Sequence, residues 1–90
     1  MLTPVYPKRF QKSLTRCAKR GYDMERLKEV INLLITETPL PFRCRPHKLV
    51  GNFAETWECH IQPDWLLVYW YDYKNGRIIF EDTGTHSDLF

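Results

Sequence analysis

Residues 65–71 read Trp-Leu-Leu-Val-Tyr-Trp-Tyr, seven apolar residues without a break. A strand with one wet face alternates apolar and polar side chains, because successive residues point to opposite faces. An unbroken run therefore predicts a central strand covered on both faces. The run is far shorter than the roughly 20 apolar residues a membrane helix needs. No such stretch exists elsewhere in the chain, so no membrane association is expected. Ninety residues predict a single domain spanning 1–90. Met1 to Arg9 lack the apolar segment of a secretory signal, so a cytoplasmic protein is expected.

The first half carries helical periods. Phe10, Leu14 and Cys17 share one face of a helix over about Lys8 to Arg20, and Gly21 suits its end. The opposite face, with Lys12, Arg16, Lys19 and Arg20, is strongly basic. Asp23 is the expected N-cap of a second helix with Met24, Leu27, Ile31 and Leu34 on one stripe. That helix should stop near Glu37, ahead of Pro39 and Pro41. Leu2 to Tyr6 suggest a short edge strand, although Pro4 costs it a donor. Residues 38–47 read as loop. Thr56 to Ile61 alternate as a strand, Lys74-Asn75-Gly76 as a hairpin turn, and 77–82 as the last strand. His86 to Phe90 form a tail or a single turn. The expected class is α+β: an N-terminal helix hairpin on one face of a small, mostly antiparallel sheet of three to four strands. The other face is left for function.

Charge is lopsided. Residues 1–48 hold 11 Lys/Arg against 4 Asp/Glu, whereas 49–90 hold 2 against 7. A basic half suits a phosphate-facing surface or an acidic partner, as well as an ordinary solvated helix face.

All three histidines fall in the second half, at His47, His60 and His86. Glu58 and His60 are two apart on a strand and share a face. If the last strand pairs with the central one, His86 comes beside Asp64. One sheet end then gathers Glu58, His60, Asp64 and His86. RNA carries its own nucleophile in the 2′-hydroxyl. Cleaving it requires a base for that hydroxyl, an acid for the 5′-oxygen, and positive charge for the phosphorane. Arg43, Arg45 and Lys48 beside His47 are candidate cations; Trp65 or Phe90 could stack a base. Each residue has a plainer reading: a structural strand histidine, an exposed carboxylate, a turn aspartate. The same His and Cys residues could in principle bind zinc, but neither C-x-x-C nor H-x3-H spacing is present. No metal or other cofactor is expected. Cys17, Cys44 and Cys59 are an odd set without disulfide spacing, and read as free buried thiols.

Trp57-Glu58-Cys59-His60-Ile61-Gln62-Pro63-Asp64-Trp65-Leu66-Leu67-Val68-Tyr69 resembles the YafQ branch of the RelE toxin superfamily. So do His47-Lys48-Leu49-Val50-Gly51 and the ending Thr83-Gly84-Thr85-His86-Ser87-Asp88-Leu89-Phe90. The resemblance implies a RelE-like fold and the toxin of a type II toxin–antitoxin module. It implies a metal-independent mRNA endonuclease associated with the ribosomal A site. The implied partner is a DinJ- or RelB-like ribbon-helix-helix antitoxin, without which the toxin does not bind DNA. It assigns catalytic roles to His47, His60, Asp64, His86 and Glu58, and places Lys48, Arg45, Trp65 and Phe90 at the substrate. His60 and His86 are the expected acid–base pair, with the roles unassigned between them.

One position departs from the pattern. The family usually has arginine four residues before the last histidine, and here Asp82 stands there. A carboxylate facing phosphate would repel it, and a lost charge donor costs on the order of 2.7–4 kcal/mol of transition-state stabilisation. By alternation Arg77 lies on the opposite face and cannot substitute. Lys48 or Arg45 could compensate from the loop, and faster cutting by Asp82→Arg would show that the missing arginine limits the enzyme. The same departure keeps open an alternative, a RelE-fold binding protein without nuclease activity.

Overall fold

The structure is a computed structural model that describes residues 1–49 and 55–90. Val50 and Gly51 of the His47–Gly51 segment lie outside the described residues. The elements run β1 (Thr3–Val5), α1 (Lys8–Lys19), α2 (Met24–Ile35), β2 (His47–Lys48), β3 (Thr56–Gln62), β4 (Trp65–Asp72), β5 (Arg77–Gly84) and α3 (His86–Leu89). Five strands form one sheet in the order β1-β5-β4-β3-β2, so the apolar run does occupy the middle. The α+β class holds, but the expected three to four strands become five. The addition is β2, a two-residue strand antiparallel to β3, with His47 opposite Glu58. β1 is a parallel edge strand on β5, where Pro4 is tolerated.

Local chemistry sets the helix ends. Gly21 takes φ 82° between α1 and α2, a conformation that glycine adopts without penalty. The Asp23 carboxylate accepts the Glu25 N–H and caps α2. Phe10, Cys17, Leu27, Val30 and Leu34 from the helices meet Cys59, Ile61, Trp65, Leu67, Tyr69, Ile78 and Phe80 from the sheet. Each large apolar side chain so buried contributes about 1.5–3 kcal/mol. All three cysteines are free and buried. No helix among the described residues is long and apolar enough to cross a membrane.

The face away from α2 is not bare. Leu66 and Val68 are buried there, beneath a cavity of about 150 Å³ walled by Arg9, Leu49, Thr56, Glu81, Asp82, Leu89 and Phe90. A bulge shapes this face. Val68 pairs with Asp82 but Tyr69 pairs with Phe80, which leaves Glu81 as the extra residue. The bulge resets the alternation of β5. Arg77 and Asp82 consequently share a face, contrary to the sequence reading. Arg77 is nonetheless spent at the far end of the strand, where its Nη2 meets Asp72 Oδ2 at 2.7 Å.

Candidate active site

Strands β2 and β3, the turn between β3 and β4, and the short helix α3 bring the expected residues together. His47, Glu58, Val68 and Asp82 form one cross-sheet row, through the pairings 47–58, 58–68 and 68–82. His60, opposite Leu66, lies on the same face two residues along β3. The His60 and His86 rings sit 6.1 Å apart between centroids.

Each histidine has its Nδ1 held. His60 Nδ1 donates to the Pro63 carbonyl at 3.2 Å, and His47 Nδ1 to the Arg45 carbonyl at 3.0 Å. A carbonyl only accepts, so both rings carry a proton on Nδ1. His47 Nε2 lies 3.4 Å from Glu58 Oε1, and that carboxylate is buried. His86 Nδ1 lies 2.6 Å from Asp64 Oδ1, which also accepts the His86 backbone N–H at 3.0 Å. These backbone and ring hydrogen bonds hold the Asp64 carboxyl below the usual carboxylate range. An ionised partner at Nδ1 fixes the tautomer and stabilises the imidazolium. With Nδ1 committed, proton exchange at His60 and His86 falls to Nε2.

Where the sequence left a tail or a turn, the structure has a docked helix. Thr85 accepts the Asp88 N–H while Asp88 accepts the Thr85 N–H, a complete capping box that opens α3 with His86. Arg20, at the C-cap of α1, grips Asp88 through two bonds, at 2.6 and 3.0 Å. Asp88 is driven well below the carboxylate range, chiefly by Arg20 and then by the Thr85 N–H. Arg16 donates to the Thr83 carbonyl at 3.3 Å. The basic face of α1 is thus partly spent on docking α3, rather than wholly available to an outside partner. The Thr-x-x-Asp pattern at 85–88 was the sequence signal for this arrangement.

Asp82 does not present a bare carboxylate to the open face. It is 7% exposed and accepts from Ser13 Oγ and from the Thr83 N–H. Arg9 Nε meets its outer oxygen at 3.2 Å, and the Arg9 side chain remains 73% exposed. The repulsion expected from Asp82 is therefore corrected: the carboxylate ties α1 to β5 and holds a guanidinium at the cavity rim. Arg9 and Ser13 were missed, although their four-residue spacing puts them on one face of α1.

Trp65 is a second correction. It is 1% exposed, packs against the tilted Tyr22 ring at 4.9 Å between centroids and donates its indole N–H to Thr83 Oγ1. It is a core residue and cannot stack a base. Alternation along β4 puts Trp65 on the core face with Leu67 and Tyr69. Phe90 is exposed at the cavity rim. Lys48 lies 5.8 Å over the Trp57 ring, on the face opposite His47 because the two are neighbours in one strand. Arg45 borders a hollow that also includes His60.

Gly84 sits where α3 crosses the sheet. An added Cβ there would lie 2.7 Å from Asp88 Oδ2, 2.9 Å from Asp88 Cβ and 3.0 Å from Arg16 Nη2. Gly84→Ala must displace α3, and we expect it to cost about 1–3 kcal/mol, as overpacking does. A urea titration measures the loss, and the His86 ring resonances should shift while those of His47 stay in place.

No group of three or more His, Cys, Asp or Glu among the described residues is arranged to hold a metal ion. Cys44 and Cys59 belong to the core packed under the helices, away from the face that carries His60.

Comparison with known proteins places this geometry in context. Residues 2–90 match the model of the family described as bacterial toxin of type II toxin-antitoxin system, YafQ. The mRNA interferase toxin YafQ of Escherichia coli K12 is 40% identical over 86 residues, covering 94% of this chain and 91% of that protein. A metal-bound toxin from Helicobacter pylori superposes with a TM-score of 0.95 at 38% identity, over 100% of both chains. YafQ in the E. coli DinJ–YafQ toxin–antitoxin complex gives 0.89 at 34% identity, over 99% of this chain and 97% of that one. A family match over nearly the whole chain, with this likeness in sequence and fold, is decisive: the chain belongs to the YafQ family of toxins of bacterial type II toxin–antitoxin systems.

Proposed function

We propose that this toxin cleaves mRNA, with His60 as general base and His86 as general acid. The observation that carries the reading is the pair of rings 6.1 Å apart, each with Nδ1 committed. Their partners differ. The Pro63 carbonyl, a neutral group, accepts from His60, whereas the Asp64 carboxylate accepts from His86 and stands as a counter-ion beside that ring. In the proposed reaction His60 Nε2 takes the 2′-hydroxyl proton as the 2′-oxygen attacks the adjacent phosphorus. The bond from phosphorus to the 5′-oxygen breaks, and His86 Nε2 delivers a proton to that oxygen. The products are a 2′,3′-cyclic phosphate and a 5′-hydroxyl. Solvent exchange returns His60 to the neutral form and His86 to the charged one.

The remaining residues are assigned supporting roles. Asp64 orients His86. Glu58 and the Arg45 carbonyl hold His47 at the edge of the site, where a protonated ring donates from both nitrogens and adds positive charge. Arg45 borders the hollow beside His60 and Arg9 the cavity over Val68, and Phe90 stands at the rim of that cavity as an aromatic for a base. Lys48, on the opposite face of the edge strand β2, is turned away from the cut. The E. coli relative is an mRNA interferase and its complex is with DinJ. By that likeness the partner here is a DinJ-like antitoxin, and the place of action is the translating ribosome in the cytoplasm.

Induced expression should arrest growth and produce discrete cuts in translated messages by primer extension, both reversed by the antitoxin. Growth arrest with intact messages would favour the alternative of a binding protein without nuclease activity. The engagement of Asp82 by Ser13 and Arg9 removes the feature that first suggested that alternative.

A further inference from the structure

Beside His60 the surface holds a hollow of about 260 Å³ walled by Arg26, Arg43, Arg45, His60, Gln62 and Pro63, with Ile61 at its floor. The three arginines come from separate places in the fold: the first turn of α2, the short turn Phe42–Cys44, and the residue after it. Among the described residues no carboxylate lines this hollow. The nearest ionic contact is at its edge, where Arg26 Nε stands 3.8 Å from Asp23 Oδ2.

Arg45 marks the hollow as built rather than incidental. Its backbone is left-handed at φ 47°, ψ 56°, a conformation that costs a non-glycine residue roughly 1–2 kcal/mol. The same turn directs the Arg45 carbonyl onto His47 Nδ1 at 3.0 Å. One strained residue therefore serves the site twice, with its carbonyl on His47 and its side chain beside His60. On the far side, Arg26 and Arg43 also border a second hollow with Asp23, Glu25 and Glu29. Those carboxylates repel a polyanion and bound the track to the side that touches His60.

We propose that the Arg26–Arg43–Arg45 hollow binds the phosphate backbone of the message strand on the His60 side of the cut. The inference rests on the proposed nuclease reading for its ligand but not for its test. The number of charges favours a backbone over a single anion: three guanidinium groups line one hollow, and each can neutralise one phosphate of a strand. Binding of this kind is electrostatic, independent of sequence and steeply dependent on salt.

The test measures binding of a short single-stranded RNA, 2′-O-methylated throughout so that it cannot be cut, across a salt series. The variants are Arg26→Gln, Arg43→Gln, Arg45→Gln, the triple variant, and the three lysine counterparts. Lys12→Gln on the solvent face of α1 is the control. Each glutamine should weaken binding and lower the slope of log K against log salt by about 0.7, so by about 2 in the triple variant. The lysine series should keep the slope, which separates lost charge from lost fold. Unchanged affinity and slope in the triple variant would overturn the proposal. So would an equal loss in Lys12→Gln, which would make the effect one of net charge alone. Loss of antitoxin binding with RNA binding intact would also overturn it, and assign the hollow to the protein partner. A wild type that binds RNA through these arginines yet cuts no message would refute the nuclease reading and leave the hollow standing.

Discussion

His86→Ala and His60→Ala should each slow single-turnover cleavage by about 10²–10⁴-fold, the usual contribution of a positioned acid or base. His86 is more than half exposed and caps nothing with its ring, so the fold should survive its loss. The two variants should differ in their pH dependence. The wild type needs one ring neutral and the other charged, which gives a rate that falls on both sides of an optimum. Removing the base, His60, should flatten the acid limb; removing the acid, His86, should flatten the alkaline limb. An exchange of those limbs would reverse the assignment, and wild-type rates in both variants would end it. Melting of α3 does not confuse the experiment. Asp64 and Asp88 both have depressed carboxyl pKa values. Stability from such groups is complete above the unfolded carboxylate value, about 3.9. It is lost only as pH falls through the folded one, below the range where histidines titrate.

The second large effect is on stability. Asp82→Arg should destabilise the protein by about 3–5 kcal/mol, the range for breaking a largely buried charged contact and leaving its partner groups unpaired. The arginine would face Arg9 and strip Ser13 Oγ and the Thr83 N–H of their acceptor. Asp82→Ala removes the acceptor without adding a cation, and should cost less, about 2–3 kcal/mol. The exposure of Arg9 keeps its own share of the loss small. A small domain sits near the lower end of the usual 5–15 kcal/mol of stability. Asp82→Arg therefore brings the chain close to unfolding, and its urea midpoint should fall accordingly. Faster cleavage by a stably folded Asp82→Arg protein, the outcome that would mark a missing arginine as limiting, would contradict this account.

Most of the architecture was legible because it rests on short-range periodicity. The helix stripes, the Asp23 cap and the unbroken apolar strand all depend on neighbours a few residues away. The meeting of His60 with His86 also followed, since one hairpin between β4 and β5 carries His86 back to Asp64. What stayed hidden depends on register and on distant pairs. β2 has two residues and no period to read. The bulge at Glu81 inverts the faces that simple alternation gives to Arg77 and Asp82. The partners of Asp82 and Asp88 lie roughly seventy positions away on α1 and at its C-cap and follow from packing, not from any local pattern. Asp82 is the instructive case. Judged by position it looked like a missing cation, whereas its surroundings make it a buried acceptor that holds a guanidinium at the same rim.

Chemistry at the 2′-oxygen is the centre of the account, and one measurement reaches it directly. Ribosomes are programmed with a message that the toxin cuts in the A site, and with the same message carrying a single 2′-deoxy sugar at the cut nucleotide. The account predicts that the all-ribose message yields a 2′,3′-cyclic phosphate and a 5′-hydroxyl while the substituted message stays whole. Cutting of the 2′-deoxy message at the same bond would contradict it, because the nucleophile would then have to come from water or from the protein.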